Sequence, residues 1–290
     1  MLLEALTSPG FGEKAASGRL IVLLPVGSLE PHGPHLPLGT DTRISLGACE
    51  RAVAKMPGWE VQIAPSVPYG VTDYAAAFPG AVSIPAPVLT AYLRAVIEGF
   101  LRTGARHVCL VNNHLEPAQD AAVRAAAVGL RASVACPLTR RWGRRLSPEF
   151  KQGACHAGRY ETSLVLAQDS AVVHMDVARS LPEVPISLAQ KIQEGVTEFV
   201  AMGLDQAYAG SPAEATVEEG EADQREGQDP TDRAGVAQVA ADEAGLVEIG
   251  DDRERLAVGP VARGVVVEDE REVEELQAAD DAERDAEEDH

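Results

Sequence analysis

Leu20-Ile21-Val22-Leu23-Leu24-Pro25-Val26 is an unbroken apolar run. It is far too short to cross a bilayer. It also lacks the alternation of a strand with one wet face, so it reads as a strand buried on both faces, as in a parallel sheet covered by helices. The chain then leaves the sheet through Gly27-Ser28-Leu29-Glu30-Pro31-His32-Gly33-Pro34-His35-Leu36-Pro37-Leu38-Gly39-Thr40-Asp41. Residues two apart in an extended segment point the same way, so Glu30 and His32 can reach one point in space. Asp41 follows a Gly-Thr turn and opens the next helix. A carboxylate, an imidazole and a second carboxylate converging beyond a strand end form a donor set for a hard to borderline metal ion.

Outward from this stretch, helical and strand patterns alternate. A helix is predicted over 42–55, closed by Pro57-Gly58, and a strand over 61–64. Thr90 is placed as the cap of a helix reaching 103, where Gly104 ends it, and a strand follows over 107–111. Pro117 opens a helix to about 130, at a first turn where its missing N–H costs nothing. A strand over 132–136, a helix over 161–168 and a further strand over 171–175 complete the pattern. Repeated βα units predict a three-layer α/β/α sandwich with a mostly parallel sheet, whose ligand sites lie beyond the carboxyl ends of the strands.

Composition divides the chain. Residues 1–210 carry 18 basic and 18 acidic side chains, so the net charge of −20 lies entirely beyond residue 210. The expected organisation is a domain over 1–220 and an acidic, largely disordered tail over 221–290, in which Val265-Val266-Val267 could form a strand. A balanced body argues against a nucleic-acid partner, and no apolar segment argues for a membrane. Four scattered cysteines, Cys49, Cys109, Cys136 and Cys155, with no CxxC pair and no secretory apolar region, point to a reduced cytoplasmic protein.

The donor pattern recurs. After the strand ending at Val111, Asn112-Asn113-His114-Leu115-Glu116 again spaces an imidazole and a carboxylate two apart. His156-Ala157-Gly158-Arg159-Tyr160-Glu161-Thr162-Ser163 places a third pair at a loop-to-helix junction. Glu30, Asp41, Glu116 and Glu161 together match the charge of two divalent ions. That charge balance allows a two-metal site with a bridging hydroxide as nucleophile.

These motifs carry a family likeness. The run from Pro25 to Asp41 resembles the signature of the creatininase (creatinine amidohydrolase) family. Phe78-Pro79-Gly80-Ala81-Val82-Ser83, Asn113-His114 and His156-Ala157-Gly158 with Glu161-Thr162-Ser163 agree in order, and Gly210-Ser211-Pro212 with 215–220 agrees more weakly. The resemblance implies a parallel α/β/α fold, a homo-oligomer, often a hexamer, and two divalent metals, Zn, Mn or Fe. It matches Glu30, His32, Asp41 and His114 to metal ligands, with Asp41 as the bridge. Glu116 and Glu161 stand as joint candidates for the fifth ligand and for catalysis. His156 is placed over the substrate as a proton shuttle or carbonyl ligand. The expected reaction is hydrolysis of a non-peptide or cyclic amide C–N bond by a metal-bound hydroxide. Formamide hydrolysis and short-peptide cleavage are family alternatives, and a non-catalytic metal-stabilised binding oligomer is the alternative from another class.

Departures bear on the small-molecule amide substrate. Pro31 stands in the place of a Gln and Asn113 in that of a Gly. Phe150-Lys151-Gln152-Gly153 leads into His156 where creatininase proper has a Trp, which argues against creatinine. Other residues read as structural. His35 is expected to hold its loop, Cys155 to be a buried small residue, and Tyr74 and Trp142 to pack. Arg140, Arg141, Arg144 and Arg145 read as a solvated helix face or subunit contact, or as a group that meets an anionic substrate. Ser28 lacks the Gly-x-Ser-x-Gly setting of a serine nucleophile.

Overall fold

The computed structural model describes residues 2–136 and 147–226. Trp142, the four arginines between 140 and 145 and the acidic segment from 227 onward lie outside the described residues.

Four parallel strands form one sheet in the order β2-β1-β3-β4: β1 (Leu20–Val26), β2 (Glu60–Ile63), β3 (His107–Asn112) and β4 (Ala132–Ala135). Every residue of β1 and β3 is buried. Their two faces diverge as the pleat dictates. Leu20, Val22 and Leu24 share a core with Val108, Leu110 and with Leu89, Leu93 and Ile97 of α3 (Ala86–Arg102) and Val123 of α4 (Pro117–Ala127). Ile21 and Leu23 join Cys109, Val111, Ile63 and Cys49 of α2 (Thr40–Val53) on the opposite face. Helices therefore cover both sides, and each fully buried Leu, Ile or Val contributes about 1.5–3 kcal/mol. The three-layer α/β/α arrangement with a parallel sheet is the one anticipated from the unbroken apolar run.

The other α-helices among the described residues are α1 (Ser8–Ala16), α5 (Pro148–Gln152), α6 (Arg159–Asp169), α7 (Met175–Ala178), α8 (Leu188–Gln193), α9 (Phe199–Met202) and α10 (Val217–Glu226).

Two local expectations are corrected. The strand over 171–175 does not form. The Asp169 side chain accepts from Ala171 N–H and starts a 3-10 turn, Ser170–Val172, which Val173 and His174 separate from α7, while Val173 packs beside α6 rather than pairing. Thr90 is not a cap, because α3 begins at Ala86 behind Pro85. Its hydroxyl instead donates to the Ala122 carbonyl, at 3.2 Å, tying α3 to α4. α10 runs from Val217 to Glu226 and packs on α6. A Cβ on Gly220 would lie 1.9 Å from the Ser163 carbonyl oxygen, so only glycine lets α10 approach the backbone of α6 this closely.

Candidate metal centre

Two strand-end segments and one helix-opening turn build the site. Gly27 ends β1 against the start of α2, where a Cβ would lie 2.6 Å from Thr42 N. This contact brings the Glu30 loop over Asp41 in the first turn of α2. His114 follows β3, and His156 to Glu161 enter from the turn before α6. Glu30, His32, Asp41, His114, Glu116, His156 and Glu161 are all buried.

Backbone carbonyls orient both central imidazoles. His32 Nδ1 lies 3.0 Å from the Glu30 carbonyl oxygen. A carbonyl only accepts, so Nδ1 carries a proton and Nε2 faces the carboxylates. That Nε2 is 3.1 Å from Asp41 Oδ1 and 3.6 Å from Glu161 Oε2. His114 is held the other way round. Its Nε2 donates to the Val71 carbonyl at 2.7 Å, leaving Nδ1 at 2.9 Å from Glu30 Oε2 and 3.2 Å from Asp41 Oδ2. Asp41 thus directs one oxygen to each half of the cluster.

Two donor trios result, Glu30-Asp41-His114 and His32-Asp41-Glu161, and the ligand atoms in each lie within 4.8 Å of one another. Glu30, His32 and His156 form a third such group. Glu116 belongs to none of them. As the residue before α4 it turns away, and its two oxygens accept from Asp73 N–H at 3.1 Å and Tyr74 N–H at 3.2 Å.

The electrostatics suit a cation. Burial opposes charge on every group, yet the surrounding carboxylates raise His32 to about 10 and hold His114 well above its ordinary value. Burial pushes Glu161 up to about 8, with Asp41 and Glu30 adding to the shift. Against burial, His32 and His114 hold Asp41 well below the carboxylate range. The cluster thus takes up protons where positive charge is short. Glu30 Oε1 is buried with no hydrogen-bond partner, which leaves one oxygen of a cluster carboxylate unsatisfied. Carboxylates with carbonyl-anchored imidazoles are the donor chemistry of Zn, Mn or Fe sites.

His156 sits between His32 and Phe199, with ring centroids 4.5 Å from each. Burial and the His32 charge bring it down to about 4, so the ring is neutral at neutral pH. Its Nε2 donates to the Pro31 carbonyl at 3.0 Å. Next to it, Ala157 takes a left-handed φ of 50°, a conformation costing about 1–2 kcal/mol for a residue with a Cβ. Its N–H donates to Glu161 Oε2 at 2.7 Å, so the strained turn and the carboxylate hold each other. Above the cluster opens a cavity of about 740 Å³, lined by Glu30, Asp41, His114, Glu116, His156 and Glu161 on the polar side and by Phe150, Leu188, Ile192 and Phe199 among its apolar residues.

The Creatininase family, described as creatinine amidohydrolase, matches residues 4–226. The chain belongs to the creatininase family. It is 31% identical over 216 residues to the mycofactocin precursor peptide peptidase of Mycobacterium tuberculosis, covering 69% of this chain and 78% of that protein. It is 27% identical over 192 residues to the creatinine amidohydrolase of Pseudomonas putida, covering 59% and 73%. A solved structure described as the Mn form of creatininase superposes with a TM-score of 0.61 at 22% identity, over 83% of this chain and 96% of that one.

Within this creatininase-family site, several participants escaped the sequence reading. Ser28 Oγ lies 2.6 Å from Asp41 Oδ2 and 3.1 Å from Glu30 Oε2, so the hydroxyl sits between the two carboxylates. Its spacing of two from Glu30 was the available signal. Phe199 and the Val71 to Tyr74 backbone carried none. His35 donates to or accepts from Thr162 Oγ1 at 2.9 Å through Nε2 and stays outside the trios, tying its loop to α6. Burial pushes the Cys155 thiol up to about 12, too high for a nucleophile. Tyr74 lines the cavity and meets the Phe199 ring edge-on at 6.3 Å.

Proposed function

We propose that this creatininase-family chain is a metal-dependent amidohydrolase holding two divalent cations, Zn, Mn or Fe. One observation supports this above the others: Asp41 divides its oxygens between two donor trios. Glu30, Asp41 and His114 would hold one ion, and His32, Asp41 and Glu161 the other. Ions bound there would polarise a carbonyl and acidify water.

The chain's own groups orient and move protons. In amide hydrolysis, water oxygen bonds to the carbonyl carbon, the C–N bond breaks with its electron pair on nitrogen, and a water proton ends on that nitrogen. Glu116 and His156 both line the cavity. Glu116 is held by two backbone N–H groups, so its carboxylate stays fixed while it accepts a proton. His156 is anchored through Nε2, which leaves Nδ1 to exchange one. Glu161 acts at the cluster and braces the His156 turn through Ala157. Phe150, Leu188 and Phe199 exclude water from the reacting end.

We read the substrate as an extended amide, such as a short peptide. A cavity of about 740 Å³ is ample for one, and the mycobacterial relative is named for a peptide substrate. The non-peptide or cyclic amide is the second reading, supported by the Pseudomonas relative named for creatinine. A reduced, cytoplasmic location and a homo-oligomeric state belong to the same proposal. The former is supported by four free cysteines and the latter by family membership. Among the described residues no helix is long and apolar enough to cross a membrane.

The test is a hydrolysis screen of the metal-reconstituted full chain over short peptides, formamides and lactams. Turnover of peptides is expected. Turnover confined to lactams or formamides moves the substrate to the second reading, and a fully loaded but inert protein supports a binding role instead.

A further inference from the structure

Gln119 lies in α4, is fully buried, and coordinates none of the trios. Its side chain nevertheless bonds to residues that hold both ends of His114. Gln119 Oε1 accepts from Val71 N–H at 2.8 Å, and the carbonyl of the same Val71 accepts His114 Nε2–H at 2.7 Å. Gln119 Nε2 lies 3.4 Å from Asn112 Oδ1, and Asn112 Nδ2 donates to the His114 carbonyl at 2.8 Å. The same Nε2 is 3.5 Å from the Gly27 carbonyl, at the root of the Glu30 loop.

The partners determine which way the amide points. Val71 N–H can only donate and the Gly27 carbonyl can only accept, so oxygen faces the first and nitrogen the second. Aspartate, asparagine or an apolar residue at 119 could not satisfy both. A buried glutamine can serve packing alone, but this one spans three strand-end segments that together aim His114 at Glu30 and Asp41.

We propose that Gln119 is a positioning residue: it fixes the Val71 carbonyl and Asn112, and through them keeps the His114 ring in the tautomer and orientation that turn Nδ1 toward Glu30 and Asp41. The assignment rests on the reading of Glu30, Asp41 and His114 as metal donors. Groups that orient a ligating histidine typically govern metal affinity by about 10–100-fold.

The experiment measures Zn²⁺ affinity of the full chain by competition with a chromophoric chelator, alongside the melting temperature of the metal-free protein, in the parent, Gln119→Met and Gln119→Glu. Methionine keeps the length and loses all three polar contacts. Glutamate keeps the acceptor for Val71 N–H. The expected result is that Gln119→Met weakens one of two Zn²⁺ equivalents by about tenfold or more, that the pH midpoint of uptake at that equivalent rises, and that Gln119→Glu recovers much of the loss. If Gln119→Met is insoluble, Gln119→Asn, too short to reach Val71, is read against the same threshold. A lowered melting temperature with Zn²⁺ affinity within about twofold of the parent would show a packing role only and overturn the assignment. Parent protein that takes up no Zn²⁺ would overturn both this assignment and the metal reading; two equivalents in the parent with unchanged affinity in the variants would overturn this one alone.

Discussion

Glu161 Oε2 stands 3.6 Å from His32 Nε2, on the same side as Asp41 Oδ1. Glu116, the other acid with a claim to this position in the sequence, turns its carboxylate to the Asp73 and Tyr74 N–H groups. The two glutamates should therefore fail differently. Glu161→Gln is expected to cut bound metal from about two ions per chain to about one. Glu116→Gln is expected to keep two and to lower kcat by about 10²-fold, the usual scale for a lost acid–base group. Metal analysis of the purified variants beside their turnover separates the roles, and loss of metal in Glu116→Gln would reassign it as a ligand.

Gly220→Ala tests how α10 is attached. In an exposed helix interior this change stabilises by about 1 kcal/mol. Here the new methyl would lie 1.9 Å from the Ser163 carbonyl oxygen, so the sign should reverse to a destabilisation of about 1–3 kcal/mol. Urea unfolding gives the answer directly, and a variant more stable than the parent would mean that α10 does not dock on α6.

His107 should make stability depend on pH. It is 1% exposed on β3 and contacts Ser133 Oγ through Nε2 at 2.8 Å. Burial, with the Arg131 charge, lowers it from 6.5 to about 4. Between those values the unfolded chain binds a proton that the fold does not, so stability falls as pH drops from 6.5 toward 4. The full shift corresponds to roughly 3 kcal/mol at 1.36 kcal/mol per unit. Unfolding free energies of the parent and His107→Gln at several pH values should show the parent losing more over this window; parallel curves would refute a neutral buried His107.

Much of this arrangement is legible in the amino-acid sequence. The run from Leu20 to Val26 announces burial on both faces because neither face alternates, and the observed sheet has β1 between β2 and β3. The donors at Glu30, His32 and Asp41 are visible as an exit from that strand. The different placement of the Glu116 and Glu161 carboxylates is not, because the spacing of two that groups His114 with Glu116 holds only while the chain stays extended. At Glu116 the backbone enters α4, and the carboxylate swings to a loop far away in sequence. The strand expected over 171–175 fails for a similar reason: β-branched residues were present, but Asp169 supplied a turn. The helix across residue 220 was hidden by its acidic composition, since its anchor is the absence of a side chain at Gly220.

A bridging role for Asp41 between two ions is tested most directly by metal content in the Asp41→Ala variant. Parent chain reconstituted with Zn²⁺ or Mn²⁺ and desalted is expected to retain about two ions and Asp41→Ala almost none, with hydrolysis lost alongside, because removing a shared ligand opens both sites. Less than about one ion in the reconstituted parent, or an Asp41→Ala protein that keeps its metal and its activity, would contradict a two-ion centre bridged by Asp41.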